Sequence, residues 1–225
     1  RLLAAGTSVT GVIDARQELH TADNYISTIG LPETASLCLE PIAALDSPPG
    51  GVAFCETILE LNCHPQKLGI NFCIDFHCND REFHFLPSDN LSAYLLCAPG
   101  NYTNCHDAED ANILKMTCMV NPHDWLTKGE DDYAAAKLTL TQRHIAYLDT
   151  KYPGLKSAVI ASDIYTPRTF QRFTRRLNGA IYGTPDRISR HHLEGNLHFA
   201  GTDTGLLGIT GAMVSGTLIA NELLV

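Results

Sequence analysis

The sequence has no CxxC pair, fewer basic than acidic residues, and no long apolar run free of polar interruptions. Its eight cysteines are irregularly spaced, which argues against a structural zinc site. A chain of 225 residues is long enough to bury a hydrophobic core and does not need disulfide staples. We therefore predict buried thiols and no metal. The adjacent pairs Cys63-His64, His77-Cys78 and Cys105-His106 leave an irregular metal site open as an alternative.

The balance of charge is acidic, with 16 lysines and arginines against 25 carboxylates and a formal net charge of −9. A nucleic-acid partner would need a concentrated basic surface, and the only basic cluster is short: Arg168, Arg172, Arg175 and Arg176. We expect no nucleic-acid binding. The cluster is interpreted as a local anion site or a solvated face.

The first half of the chain reads mainly as β-strands. Short alternating segments across residues 2–28 predict a β-meander that ends in a strand. The breaker at residues 47–51 marks a candidate boundary. Five further β-compatible segments then predict a largely antiparallel sheet: 54–61, 68–77, 82–86, 93–97 and 112–120. On the second of these, Asp75 and His77 share a mixed face and are expected to be structural partners.

Residues 127–152 carry the clearest helical pattern, with acidic residues in the first turn and Pro153-Gly154 after the end. The spacing predicts a buried stripe of Ala134, Leu138, Thr141, Ile145 and Leu148. His144 is expected to be exposed or at the edge of this stripe. A strand at residues 157–164 and a short helix opening at Thr166-Pro167 follow.

The last thirty residues combine a strand at 196–200, a glycine-rich turn at 201–208 and a helix from about Thr210. Unpaired N–H groups and a partial positive charge at a helix N-terminus suit a phosphate, a ribityl chain or an electron-rich ring edge. Glycines in the turn would let such a group approach the backbone. A purely structural junction between strand and helix is the alternative, since the turn lacks a complete fingerprint.

Three segments resemble the C-terminal half of a known group, the phytoene desaturase and carotenoid isomerase branch of the FAD-dependent amine-oxidase-like flavoproteins. Residues 197–204 followed by 208–216 are similar to that family's second FAD-contact motif. Residues 165–170, continuing to 179–183, look like the segment before it, and residues 22–28 resemble the strand that leaves its β-meander. The order and spacing fit across nearly the whole chain.

The resemblance implies a mixed α/β (α+β) architecture in which a strand and helix complete an FAD-binding Rossmann-like domain beside a substrate domain. Residues 1–40 and 191–225 would belong to the FAD-binding part and residues 41–190 to the substrate domain. The implied function is that of a desaturase, saturase or isomerase, in which FAD exchanges a hydride with a carotenoid-like polyene or another apolar lipid. The implied cofactor contacts are Gly201, Thr202, Asp203, Gly208, Ile209, Thr210, Gly211, Ala212 and Tyr182.

An apolar polyene would need a tunnel, and the resemblance implies that phenylalanines of the substrate domain could line it. For each of these residues, packing in the core is the alternative: Phe54, Phe72, Phe76, Phe83 and Phe85. No general base is identified among the available histidines: His77, His144, His191 and His192. Peripheral contact with a membrane is an open possibility, and a cytoplasmic or membrane-peripheral location is favoured over secretion.

Two departures from the family pattern leave alternatives open. Thr202, followed by Asp203, stands where many relatives have an acidic residue directly after the glycine. The sequence also has no GxGxxG turn, the fingerprint that holds the ADP half of FAD. We therefore expect a nucleotide-binding segment upstream of Arg1 or on a separate chain. The other hypothesis is a non-catalytic relative that binds an apolar ligand or a partner.

Overall fold

The computed structural model describes residues 1–42, 45–79, 91–102, 111–183, 195–205 and 207–224. Its strands are β1 (Leu2–Ala5), β2 (Ser8–Ile13), β3 (Leu19–His20), β4 (Tyr25–Ser27), β5 (Ala53–Leu61), β6 (Ile74–Cys78), β7 (Ala93–Cys97), β8 (Ile113–Val120), β9 (Val159–Tyr165) and β10 (Leu197–Phe199). Its helices are α1 (Leu31–Leu37), α2 (His123–Leu126), α3 (Glu130–Lys151), α4 (Leu155–Ala158), α5 (Pro167–Thr174) and α6 (Gly208–Leu224). This mixture of helices and sheets confirms the predicted α/β class.

The chain forms two compact units. Unit 1 contains Arg1–Gly51 and Phe170–Val225, and unit 2 contains Val52–Thr169. Unit 2 is therefore continuous in sequence, whereas unit 1 is assembled from both ends of the chain. The assignment of the units to cofactor and substrate domains stays a proposal.

Unit 1 contains two small sheets. Strands β1, β2 and β3 form the predicted antiparallel meander, in that order. Strand β4 pairs in parallel with β10, so that Tyr25 lies opposite Leu197 and Ser27 lies opposite Phe199. Buried Leu31, Leu197 and Phe199 lie in the apolar core of this unit. The pairing brings residues about 170 positions apart to the same place and fixes where β10 ends.

Unit 2 is built on a five-stranded antiparallel sheet in the order β6-β7-β8-β5-β9. On β5, buried Cys55, Thr57 and Leu59 alternate with partly exposed side chains, because successive residues of a strand point to opposite faces. The expectation of a largely antiparallel sheet is confirmed for the described strands. The predicted segment 82–86 lies outside the described residues.

Helix α3 was predicted, and its buried face was predicted in part, since Thr141 and Leu148 are buried as expected and Ile145 is half-buried. Leu138 is 59% exposed and Ala134 is exposed, whereas the buried residues are Leu140, Thr141, His144 and Leu148. His144 is fully buried, contrary to expectation, because its ring reaches a polar partner on the sheet. Its Nδ1 lies 2.8 Å from Thr57 Oγ1, and its Nε2 lies 3.7 Å from Cys118 Sγ.

Across the described residues, none of the helices is both long enough and apolar enough to cross a membrane. The seven cysteines in this part of the chain are all outside disulfides. Cys55 and Cys118 are buried as expected, but Cys78 is exposed and the other four are half-buried. Thus only part of the prediction of buried thiols is met, and Cys105 lies outside the described residues.

Candidate functional site

The glycine-rich turn after β10 is fixed to α6 by hydrogen bonds. Gly201 adopts a φ of +122°, which residues with a side chain rarely adopt. Its backbone N–H donates to Ser215 Oγ at 2.9 Å, and that hydroxyl donates to the carbonyl of Ala212 at 2.8 Å. Thr204 Oγ1 donates back to the carbonyl of Gly201 at 2.7 Å. The turn therefore has a defined geometry relative to the first turns of the helix.

Helix α6 begins at Gly208, slightly earlier than the sequence predicted, and its first turn is open to solvent. Gly208, Ile209 and Thr210 are exposed, whereas Gly211 is buried and Ala212 is half-buried. The first N–H groups of a helix have no partner within the helix and carry a partial positive charge. This end of α6 is thus suited to an electron-rich or anionic group, such as the phosphate or ring edge considered from the sequence.

The two residues after Gly201 contact other parts of unit 1. Asp203 is only 2% exposed, and its Oδ2 accepts the backbone N–H of Leu31 at 2.7 Å. The same oxygen accepts a hydrogen bond from Arg176 Nη1 at 3.2 Å, while Arg176 Nη2 donates to Thr202 Oγ1 at 2.8 Å. The structure therefore joins Thr202 and Asp203 through one guanidinium.

Glu33 completes this cluster and was not singled out from the sequence. Its Oε2 accepts from Arg176 Nη1 at 3.1 Å, and its Oε1 accepts the backbone N–H of Leu177 at 2.8 Å. Because Glu33 and Arg176 are 143 positions apart, no local pattern could have indicated their contact. The arginine was noticed only as a member of the basic cluster.

Tyr182 follows Arg176 by six positions in the chain, and its side chain is 38% exposed. The residue that follows, Gly183, packs so closely on Asp203 that a Cβ at this position would overlap Oδ1 of the carboxylate. The same Cβ would lie 3.1 Å from Thr202 Oγ1. The segment carrying Tyr182 and the turn carrying Thr202 and Asp203 are therefore brought together, although a contact of Tyr182 with a cofactor stays a prediction.

The four arginines of the basic cluster do not act as one anion site. Arg168 donates to Glu130 at 2.9 Å and lies over the ring of Tyr133, 4.4 Å from its centroid. Arg176 is bound to carboxylates of its own unit, whereas Arg172 and Arg175 are exposed. Two of the four cations are thus already paired within the protein.

The sheet of unit 2 presents a partly apolar face on the side opposite its buried core. Ile74 is 54% and Phe76 is 59% exposed on β6. Cross-strand register places Phe76 on the same face as Glu56, and Phe54 lies two residues before Glu56 on β5. Of the predicted tunnel residues, Phe54 and Phe76 therefore share this face.

The remaining phenylalanines divide differently. Phe72 packs against the core, with its ring 6.5 Å from that of Tyr152, as in the alternative interpretation. Phe83 and Phe85 lie outside the described residues. The partly apolar sheet face of unit 2 thus carries two of the five phenylalanines predicted to line a tunnel.

Of the four candidate histidines, His77 and His144 lie in the described part of the chain, and the rings of both contact protein groups. Burial, with a smaller contribution from the nearby charge of Arg143, lowers the pKa of His144 to about 4, so this ring is neutral at pH 7. His77 Nε2 lies 2.8 Å from Asn79 Oδ1 and 2.9 Å from Lys151 Nζ, and its ring stacks on Tyr94. His77 thus has the structural role expected of it, but these contacts are with Asn79, Lys151 and Tyr94 and not with Asp75. His191 and His192 lie outside the described residues.

One group in the described part of the chain brings three potential metal ligands together: Asp14, Glu18 and His20. It lies in an exposed turn of unit 1, where Asp14 Oδ1 accepts the backbone N–H groups of Arg16 and Glu18. These hydrogen bonds explain the closeness of the three side chains as part of the turn structure. Cys63-His64 and His77-Cys78 are not part of such a group, and Cys105-His106 lies outside the described residues.

A groove of about 610 Å³ opens beside α1 in unit 1. It is lined mostly by small and apolar side chains, among them Pro32, Ile42, Leu45 and Leu177. One of its lining residues, Leu177, directly follows Arg176 of the buried cluster in the chain. It was not anticipated from the sequence.

Comparison with known proteins gives two informative similarities, while no family model matches the chain. Prolycopene isomerase, chloroplastic, from Daucus carota is 25% identical over 134 residues, which are 56% of this chain and 20% of the isomerase. Cyclohexylamine oxidase from Brevibacterium oxydans IH-35A has a similar fold, with a TM-score of 0.56 at 13% identity, over 99% of this chain and 47% of the oxidase. The chain thus spans less than half the length of each.

Both named relatives are enzymes, one an isomerase and the other an oxidase. The fold similarity extends over nearly all of the chain, whereas the sequence similarity covers little more than half of it. The resemblance predicted from the three sequence motifs is confirmed: the chain is similar to a C-terminal portion of the amine-oxidase-like flavoproteins.

Proposed function

We propose that the chain is the C-terminal part of an FAD-dependent oxidoreductase that desaturates, saturates or isomerises a carotenoid-like polyene or another apolar lipid. The observation that carries the proposal is the connection from β10 through the Gly201–Gly205 turn to the solvent-open start of α6. A flavin bound there would accept or return a hydride, and negative charge would develop next to the positive end of a 17-residue helix.

The glycines of this segment fit a flat group that approaches the backbone. Gly208 has a φ of +72°, and a Cβ built on it would meet no atom within 4 Å. This position therefore leaves open space in front of the first helical N–H groups. The proposed contacts are the residues implied by the motif other than buried Asp203, with backbone N–H groups of residues 209–212 directed at the cofactor and Tyr182 near it.

The partly apolar sheet face of unit 2 supports an apolar substrate. Phe54 and Phe76 share this face with exposed Ile74, and aromatic and aliphatic groups of this kind suit a polyene chain. The similarity to prolycopene isomerase agrees in direction with such a substrate. The nucleotide-binding half would be supplied by a preceding segment or by a separate chain.

A flavin titration tests the proposal directly. The purified chain is mixed with FAD and separated from unbound FAD, and its flavin absorbance is recorded. Retained flavin absorbance is expected, and a variant with Gly208→Val should retain less, because the side chain would occupy the approach to α6 and a β-branched residue is strained at a φ of +72°. Protein that stays colourless would show that this part of the enzyme does not bind the cofactor by itself. Coding sequence directly upstream of Arg1 that contains GxGxxG would support one continuous enzyme.

A further inference from the structure

Arg176, Glu33 and Asp203 form a buried ionic cluster in unit 1. Their side chains are 14%, 7% and 2% exposed, respectively. Arg176 Nη1 lies 3.1 Å from Glu33 Oε2 and 3.2 Å from Asp203 Oδ2, and so contacts both carboxylates with one nitrogen. This cluster connects α1, the segment after α5 and the turn after β10.

Burying one cation with two carboxylates is unfavourable unless the remaining lone pairs are hydrogen bonded. Two backbone groups meet this need: Leu31 N–H donates to Asp203 and Leu177 N–H donates to Glu33. The hydroxyl of Thr202 accepts from the second guanidinium nitrogen at 2.8 Å. Each polar partner thereby fixes a different piece of backbone.

Two glycines make room for this arrangement. A Cβ on Gly30 would overlap Arg176 Nη1 and Glu33 Oε2, and a Cβ on Gly183 would overlap Asp203 Oδ1. Both glycines have positive φ, +110° and +76°. The backbone thus approaches the cluster from two sides and leaves Asp203 little freedom to turn toward a ligand.

We propose that Arg176 and Glu33 are positioning residues for the flavin site, an inference that rests on the function proposed above. They hold the Gly201–Gly205 turn through Thr202 and Asp203, and the turn in turn sets the approach to α6. Asp203 then contributes to flavin binding through Arg176 and Leu31 and does not touch the cofactor. This explains how the chain tolerates Thr202 where an acidic residue was expected.

Two independent measurements on the full chain test this role. Amide hydrogen exchange reports on residues 201–205 without any ligand, and flavin fluorescence reports the Kd for FAD. Arg176→Met is expected to speed exchange in the turn and to weaken FAD binding, each by at least about tenfold, the size expected for losing charge-assisted hydrogen bonds. Arg176→Lys keeps the charge and is expected to recover part of both losses.

Arg172→Met is the matched control, since this arginine is exposed on the neighbouring helix and should change neither value. The inference is overturned if Arg176→Met binds FAD as the wild-type chain does, whether or not exchange in the turn changes. If the wild-type chain binds no FAD while Arg176→Met still loosens the turn, the proposed function of the isolated chain fails and the anchoring of the turn stands. If Arg176→Met does not fold, the test is made with Glu33→Gln, which removes one charge that faces Arg176. Exchange in residues 201–205 and a Kd for FAD that both equal the wild-type values in that variant overturn the inference.

Discussion

Gly183 lies directly against the carboxylate of Asp203, at a distance that leaves no room for a Cβ. Gly183→Ala is therefore expected to destabilise unit 1 by about 3–4 kcal/mol, because it combines a positive φ with a collision against a buried ion. Differential scanning calorimetry of the variant measures the loss. Gly6→Ala is the control, since Gly6 has a φ of +63° but no atom within 4 Å of its Cβ position, and it should cost only about 1–2 kcal/mol. Equal losses in the two variants would refute the steric argument.

Ser215 anchors the glycine-rich turn to α6 by accepting the N–H of Gly201. Ser215→Ala leaves that N–H without its partner and is expected to lower the local stability of the turn by about 1–3 kcal/mol, the cost of an unsatisfied buried donor. Hydrogen exchange of residues 197–205 measures this change. Thr217→Ala removes a hydroxyl on the same helix that only donates to the carbonyl of Met213, so exchange in the turn should not change. Faster exchange in both variants would indicate general loosening of α6.

His144 makes the stability of unit 2 depend on pH. Its pKa is about 4 in the folded chain and about 6.5 when exposed, so the unfolded chain binds the extra proton and stability falls as the pH drops between these values. The full loss is expected to be roughly 3 kcal/mol. Urea denaturation at pH 7 and pH 4.5, followed through the fluorescence of buried Trp125, measures it.

The matched variant for this pH dependence is His144→Gln. It should be less stable than the wild-type chain at pH 7, because it disturbs the contact with Thr57. Its stability should nevertheless change less between pH 7 and pH 4.5, since the titrating ring is gone. The same slope in both proteins would show that other groups cause the loss.

The cysteines of unit 2 are expected to differ strongly in reactivity. Cys55 and Cys118 lie on paired strands and are 0% and 1% exposed. Burial, together with the neighbouring Cys118, raises the pKa of the Cys55 thiol, and a protonated buried thiol is a poor nucleophile. Exposed Cys78 should therefore be alkylated by iodoacetamide well before either of them, as mapped by mass spectrometry. Full modification in urea is the control, and equal rates in the native chain would contradict the buried core.

The elements with strong local signals were predictable from the sequence. The first meander, the end of α3 before Pro153-Gly154, and the order of strand, turn and helix at 196–225 all depend on nearby turn and capping residues. The face of α3 was predictable only in part: Thr141 and Leu148 are buried as expected, whereas Leu138 is exposed, because apolar residues occur on several sides of that helix. The burial of His144 depends on the contact between its ring and Thr57, 87 positions away, which no local pattern indicates.

The candidate site likewise has a part that was predictable from the sequence and a part that was not. Glycines and the start of α6 were visible as a pattern, whereas the partners of Asp203 come from distant parts of the chain. Arg176 and Glu33 are ordinary charged residues in their local sequences, on a basic segment and in a short helix. Their burial and pairing result from tertiary packing, which no local period encodes.

The parallel pairing of β4 with β10 also sets an order of events during synthesis. Unit 2, residues 52–169, is continuous and has all its strands before the ribosome reaches β10, so it can fold early. Residues 1–51 must wait for partners that lie near the other end of the chain, and closing so long a loop slows folding. Leu2 and Val9, which share an apolar core with Leu197 and Phe199, therefore lack these partners until residue 199 has been synthesised. A chain cut before residue 197 would retain all of unit 2 but could not form the parallel pair of β4 with β10.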